Sequence, residues 1–77
     1  MAKAKRHYYL VDDLDSENGE IISRGLKAVT SISGVTINLN QGVIEVVSTI
    51  NPDTHVRMAC DVAGTAIRTK LKKKHLH

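Results

Sequence analysis

Seventy-seven residues, 42% of them hydrophobic and 25% charged, suffice for one small core and not for two, since a chain this short buries only about 60% of its unfolded surface. No window approaches the roughly 18–20 apolar residues of a membrane span, and the basic start Met1 to Arg6 lacks the apolar run of a secretory signal, so a cytoplasmic setting is expected. The single cysteine excludes an internal disulfide and a cysteine-pair metal site, while the net charge of +3 leaves anionic partners open.

Residues 1–6 read as a basic arm. His7 to Val11, HYYLV, is rich in aromatic and branched side chains and predicts a first strand. It stops at Asp12, Asp13, Asp15 and Glu17, which no strand interior would hold. Asp15 or Ser16 can cap the helix that follows, and Glu17 and Glu20 sit where its positive dipole end favours anions. Ile22, Leu26 and Val29 recur at helical spacing with Ile32 near the same stripe, so the helix is expected over residues 17–31.

Ser33-Gly34 ends that pattern, and the alternation of Val35, Ile37 and Leu39 with Thr36 and Asn38 predicts a half-buried second strand. Asn40-Gln41-Gly42 turns the chain into a third strand, VIEVVS, making residues 35–48 a hairpin. Asn51-Pro52-Asp53-Thr54 opens a second helix near residue 52, with Val56, Ala59, Cys60 and Ala63 on one stripe. Its end has two readings. Ile67 and Leu71 extend the stripe at steps of four, whereas Gly64 is a stop signal and Ile67, Thr69 and Leu71 alternate as a short edge strand does. A helix through to residue 73 would be about 33 Å long against strands of about 20 Å, which favours the strand. The expected architecture is α+β, a ferredoxin-like βαββαβ sandwich whose four-stranded antiparallel sheet carries both helices on one face.

At this point the chain resembles the heavy-metal-associated domain family, the small domains of copper chaperones and of the amino-terminal segments of metal-pumping P-type ATPases. The resemblance spans residues 7–71 and rests on Ile22, Gly25 and Leu26, on Ser33-Gly34-Val35, on the hairpin with Gly42, and on Val56, Cys60 and Ala63-Gly64. It implies the same fold and a role in metal transport. The family's function lies in two cysteines separated by two residues, and stepping back four from Ile22 puts these at Asp15 and Asn18; the glycine and methionine before the pair become Asp12 and Asp13. The resemblance therefore implies divergent or lost soft-metal binding.

Other candidate sites come from the residues themselves. The carboxylates of Asp12, Asp13, Asp15 and Glu17 suit a hard divalent cation, although in an EF-hand register the glycine position falls on Asn18 and the bidentate glutamate on Arg24. His75 and His77 in a basic tail of residues 72–77, with His7 brought near by an antiparallel fourth strand, offer three imidazoles for a transition metal. Cys60 lies on an apolar helix stripe and reads as core. No catalytic triad, phosphate-cradling loop or paired carboxylate is found, so no enzyme is expected and no cofactor beyond a divalent metal ion.

Five of the eight acids fall between residues 12 and 20, while Lys3, Lys5, Arg6, Lys70, Lys72, Lys73 and Lys74 hold seven of the eleven basic residues at the chain ends, making the domain an electric dipole. The basic patch of Lys70 and Lys72 to Lys74 permits weak, sequence-blind attraction to nucleic acid, but the third strand lacks the aromatics of a sheet-face RNA reader. With Tyr8 and Leu10 taken to face the helices, Tyr9, Val11, Val43 and Val47 form an apolar patch on the open side of the sheet, which predicts a protein partner or a homodimer. Three functions follow as expectations: a divergent metal-binding module, a protein-interaction or dimerisation module, and a nonspecific nucleic-acid binder.

Overall fold

The computed structural model describes residues 3–71. The elements run β1 (Lys5–Val11), α1 (Ser16–Lys27), β2 (Ile32–Asn38), β3 (Val43–Ser48), α2 (Asp53–Ala63) and β4 (Ile67–Leu71). Every strand pairing is antiparallel and the sheet order is β2-β3-β1-β4, so β2 and β4 are the edges. This is the expected ferredoxin-like arrangement. The basic tail from Lys72 to Lys74, with His75 and His77, lies outside the described residues.

The two readings of the chain after Ala63 resolve as a strand. Gly64 takes the left-handed conformation at φ 81°, its N–H donates to the Asp61 carbonyl, and the Thr65 N–H donates to Cys60 at 2.9 Å. Those bonds satisfy two of the last four carbonyls of α2, those of Cys60 and Asp61, and reverse the chain, a turn that glycine makes without strain. β4 then pairs with β1 from Tyr8↔Leu71 to Val11↔Ile67.

α1 ends earlier than its apolar spacing suggests. Val29 donates to the Leu26 carbonyl and Ile32 to the Val29 carbonyl, successive turns over a branched and hydroxyl-bearing stretch of poor helix formers. Ile32 is buried as the first residue of β2 rather than as the last of a helix stripe.

Ile22 and Leu26 of α1 and Val56 and Cys60 of α2 close over Ile44 and Val46 of β3, and all of these are fully or almost fully buried. α1 comes down close to β2 at Gly19, where an added Cβ would sit 3.0 Å from Ile37 Cγ2. From β1, the inward residues are Tyr9, 1% exposed, and Val11, 4% exposed. This corrects the expected facing of the strand: Tyr9 and Val11 belong to the core, opposite Ile44 and Ile67, and Tyr8 and Leu10 take the open side. Val43 and Val47 do lie on that side, where Leu10 and Asn38 flank Val43 and hold it to 7% exposure.

Candidate functional site

The loop between β1 and α1 is built by hydrogen bonds among its own residues. Asp15 is the N-cap of α1: its Oδ1 accepts from the Asn18 N–H at 2.8 Å, and Asn18 Oδ1 accepts from the Asp15 N–H at 2.8 Å. This reciprocal box uses up two of the backbone donors that a helix start leaves unpaired. The Asn18 Nδ2 amide reaches further back, donating to the Asp13 carbonyl at 2.8 Å, and Asn18 is itself buried. Asp13 bends the chain with φ 54°, a left-handed conformation that Asp tolerates better than most residues.

Asp12 ties the same loop to the turn that leads into the neighbouring strand β4. Its N–H donates to the Ala66 carbonyl at 2.9 Å, and its own carbonyl accepts from the Thr65 hydroxyl. Its Oδ1 lies 2.7 Å from Arg68 Nε but is not aligned for a hydrogen bond, so that contact is one of charge alone. Asp12 and Asp15 therefore hold the loop together, while Asp13, Asp15 and Glu17 border a shallow concavity with Asn18, Ile21, Ala63 and Gly64. Among the described residues no three His, Cys, Asp or Glu side chains converge in the manner of a metal site.

His7 does not join this loop. It lies on β1 opposite Val46, five residues and so about 16 Å of strand before Asp12. Its surroundings are a polar cluster that sequence reasoning did not find. The Tyr9 hydroxyl donates to Asp53 Oδ1 at 2.5 Å, Lys70 Nζ donates to the same oxygen at 2.8 Å, and the Lys70 ammonium stands 5.6 Å from the centre of the Tyr9 ring. Burial and the nearby Lys70 charge push His7 below its ordinary pKa, with Asp53 opposing. Lys70, expected in a basic patch, is thus held by an acid. The remaining expected members of that patch, Lys72, Lys73 and Lys74, and the imidazoles of His75 and His77, lie outside the described residues.

The cluster makes stability depend on pH in two directions. Burial disfavours the Asp53 carboxylate, but the bonds from Lys70 and Tyr9 outweigh it and hold the group below the usual carboxylate range. Its contribution is therefore present above the unfolded value of about 3.8 and is lost as pH falls through the lower folded value. Burial and the Asp53 bond push the Tyr9 hydroxyl well above its ordinary value of 10.0, so the folded state keeps a proton that the unfolded chain gives up as pH rises past that point. Stability is expected to fall off above about pH 10 in the native chain. Tyr9→Phe should flatten that alkaline limb, and Lys70→Met should move the acid limb to higher pH, both read from thermal midpoints across pH.

Cys60 is 1% exposed, and burial with the Asp61 charge raises its thiol to about 11. A neutral, enclosed thiol is a packing group rather than a ligand or nucleophile. On the outer side of the helices Met58 and Val62 are 60% and 79% exposed, beside a groove lined by Ile21, Val29 and Ala59. No helix of the described residues is long and apolar enough to cross a membrane.

The sequence matches no family model and no curated protein. Solved structures do match. The N-terminal domain of ZntA in its apo form superposes with a TM-score of 0.80 over 94% of this chain and 99% of that one at 14% identity. Its Zn(II) form gives 0.70 over 82% and 88% at 16% identity. The apo HMA domain of the copper chaperone for superoxide dismutase gives 0.70 over 91% and 71% at 12% identity.

The fold is that of a heavy-metal-associated domain. On this HMA fold the positions to which the sequence resemblance assigns the thiols are occupied by the capping pair itself, Asp15 and Asn18. Neither offers a soft ligand, so the residues present do not fit a copper(I) site. Asp15 as a cap was legible from its place before the apolar stripe. The reciprocal part played by Asn18, three residues on, was legible in principle from the same spacing.

Proposed function

We propose that this chain is a non-enzymatic binding module on the HMA fold whose soft-metal site has been replaced by a hydrogen-bonded loop. The observation that carries the reading is the Asp15–Asn18 box, in which each side chain gives an oxygen to the other residue's backbone N–H at 2.8 Å. A metal ion taking Asp15 Oδ1 or the Asn18 amide oxygen would compete with those bonds, and only Asp15 Oδ2 stands outside the box. The oxygen donors left over, on Asp13, Asp15 and Glu17 around one shallow concavity, supply at most a weak divalent site, in the roughly millimolar range of exposed oxygen ligands. Protein contact is then the remaining use of the scaffold, and the exposed Met58 and Val62 on the helices support it. Nucleic-acid binding on the open sheet face is disfavoured by Glu45, which stands there beside Tyr8 and would meet a phosphate backbone with like charge.

Metal titration followed residue by residue in NMR spectra tests the reading. Zinc(II) and copper(I) at micromolar concentrations should leave the amide signals of residues 12–18 in place, and calcium should move them only towards millimolar concentration. Shifts confined to His75 and His77 would place a metal on the tail and leave the loop reading intact. A saturable micromolar site at Asp13 and Asp15 would overturn it.

A further inference from the structure

The two edges of the sheet are guarded differently. β4 carries Arg68 and Lys70, both exposed, and such cations blunt an edge against pairing with another chain. β2, ISGVTIN, has no charged residue and no proline along its seven residues. The register shift between Ile32 and Gly34 twists only its beginning, and from Gly34 to Asn38 the strand pairs regularly with β3. Its outer side therefore presents a regular row of backbone donors and acceptors with nothing to repel a second strand.

α1 stands beside this edge and is charged in two halves. A groove of about 470 Å³ separates it from the strand, with Ile37 and Leu39 on one side and Glu20, Arg24 and Lys27 on the other. On the groove side Glu20 lies in the first half of the helix and Arg24 and Lys27 in the second, while Glu17 borders the concavity at Ala63 and Gly64. Gly19 lies against Ile37. At about 1.5 Å per helical residue and about 3.3 Å per strand residue, the middle of α1 then stands over Val35 and Thr36, the middle of regular β2. A two-fold axis at that point would run β2 antiparallel to its own copy. It would also set Glu20 of each α1 towards Arg24 and Lys27 of the other. The internal Glu20–Arg24 pair does not prevent this, since it is exposed and such pairs are weak.

We propose that β2 is the edge through which two copies of this chain pair, joining their four-stranded sheets into one continuous sheet with the α1 helices side by side across the axis. The contact is self-complementary in backbone, in charge and in position along both elements. It stands whether or not the acidic loop takes a metal.

Sedimentation of the full chain from about 10 µM to about 1 mM tests the proposal, because an interface of one strand and one helix falls at the small end of specific contacts and should dissociate in the micromolar range. A monomer–dimer transition is expected. Thr36→Lys places two like charges near the axis and should raise the midpoint at least about tenfold, with the thermal midpoint of dilute protein unchanged because Thr36 is exposed. Val47→Lys, on the open sheet face, should leave the association as it was. Amide exchange at Gly34 to Asn38 should slow as concentration rises. A chain that stays monomeric to about 1 mM overturns the proposal, as does a dimer broken by Val47→Lys and not by Thr36→Lys. Protection of β2 only by an added extended peptide would assign the edge to a different partner and overturn it equally.

Discussion

Tyr9→Ala should lower the unfolding free energy by about 3–5 kcal/mol, whereas Tyr8→Ala, one residue away, should cost about 1 kcal/mol or less. The ring of Tyr9 is 1% exposed among Ile22, Leu26, Ile44 and Val56, and its removal opens a cavity that a rigid four-stranded sheet cannot close. Tyr9 also carries the hydroxyl that holds Asp53 in the first turn of α2, so the truncation leaves that carboxylate with Lys70 alone. Tyr8 faces the open side of the sheet across from Glu45, where water replaces most of what it loses. Tyr9→Phe should fall between, near the roughly 1.5–3 kcal/mol of a hydrogen bond to a charged group, because the ring stays and only the bond goes. Urea denaturation at neutral pH measures all three. A Tyr8 variant less stable than the Tyr9 variant would mean that β1 presents its other face to the helices.

That pair of residues also shows where the sequence stops being readable. Strands, helices and their order could be taken from spacing and turn residues, because an amphipathic helix or a glycine stop is a local signal. Gly64 is one example: its left-handed conformation ends α2 and makes β4 a strand. The facing of β1 is not local. Tyr8, Tyr9, Leu10 and Val11 are all suited to burial, so alternation carries no phase and the choice between Tyr8 and Tyr9 is made by what lies across the sheet and above it. What lies above includes Asp53, 44 residues further along, whose bond gives the Tyr9 hydroxyl a polar partner at the rim of the core. For the loop, the acidic cluster and the missing thiols were visible in the residue types. The use made of the acids was not, since Asp12 meets Arg68 and Thr65 only after β4 has come back alongside β1.

Replacing both capping residues, Asp15→Cys with Asn18→Cys, should convert the loop into a soft-metal site and raise zinc(II) and copper(I) affinity at least about a thousand-fold over the native chain. The backbone already brings the two positions together, because each side chain now reaches the other residue's N–H at 2.8 Å. Both thiols would sit at the start of α1, where the helix dipole lowers thiol pKa and favours the thiolate that binds metal. Loss of the box should destabilise the metal-free variant by about 1–2 kcal/mol, in line with other helix caps. Metal at about a hundred times its dissociation constant would return about 2.7 kcal/mol, enough to reverse the deficit. The thermal midpoint of the double variant should therefore drop without metal and rise with it, while the native chain should not respond to zinc(II) through this loop. Each single variant offers one thiol and should bind no better than an isolated cysteine. A gain of less than about tenfold in chelator competition would mean that this loop cannot adopt the geometry of a thiolate pair, and that more than two side chains separate it from a metal-binding HMA domain.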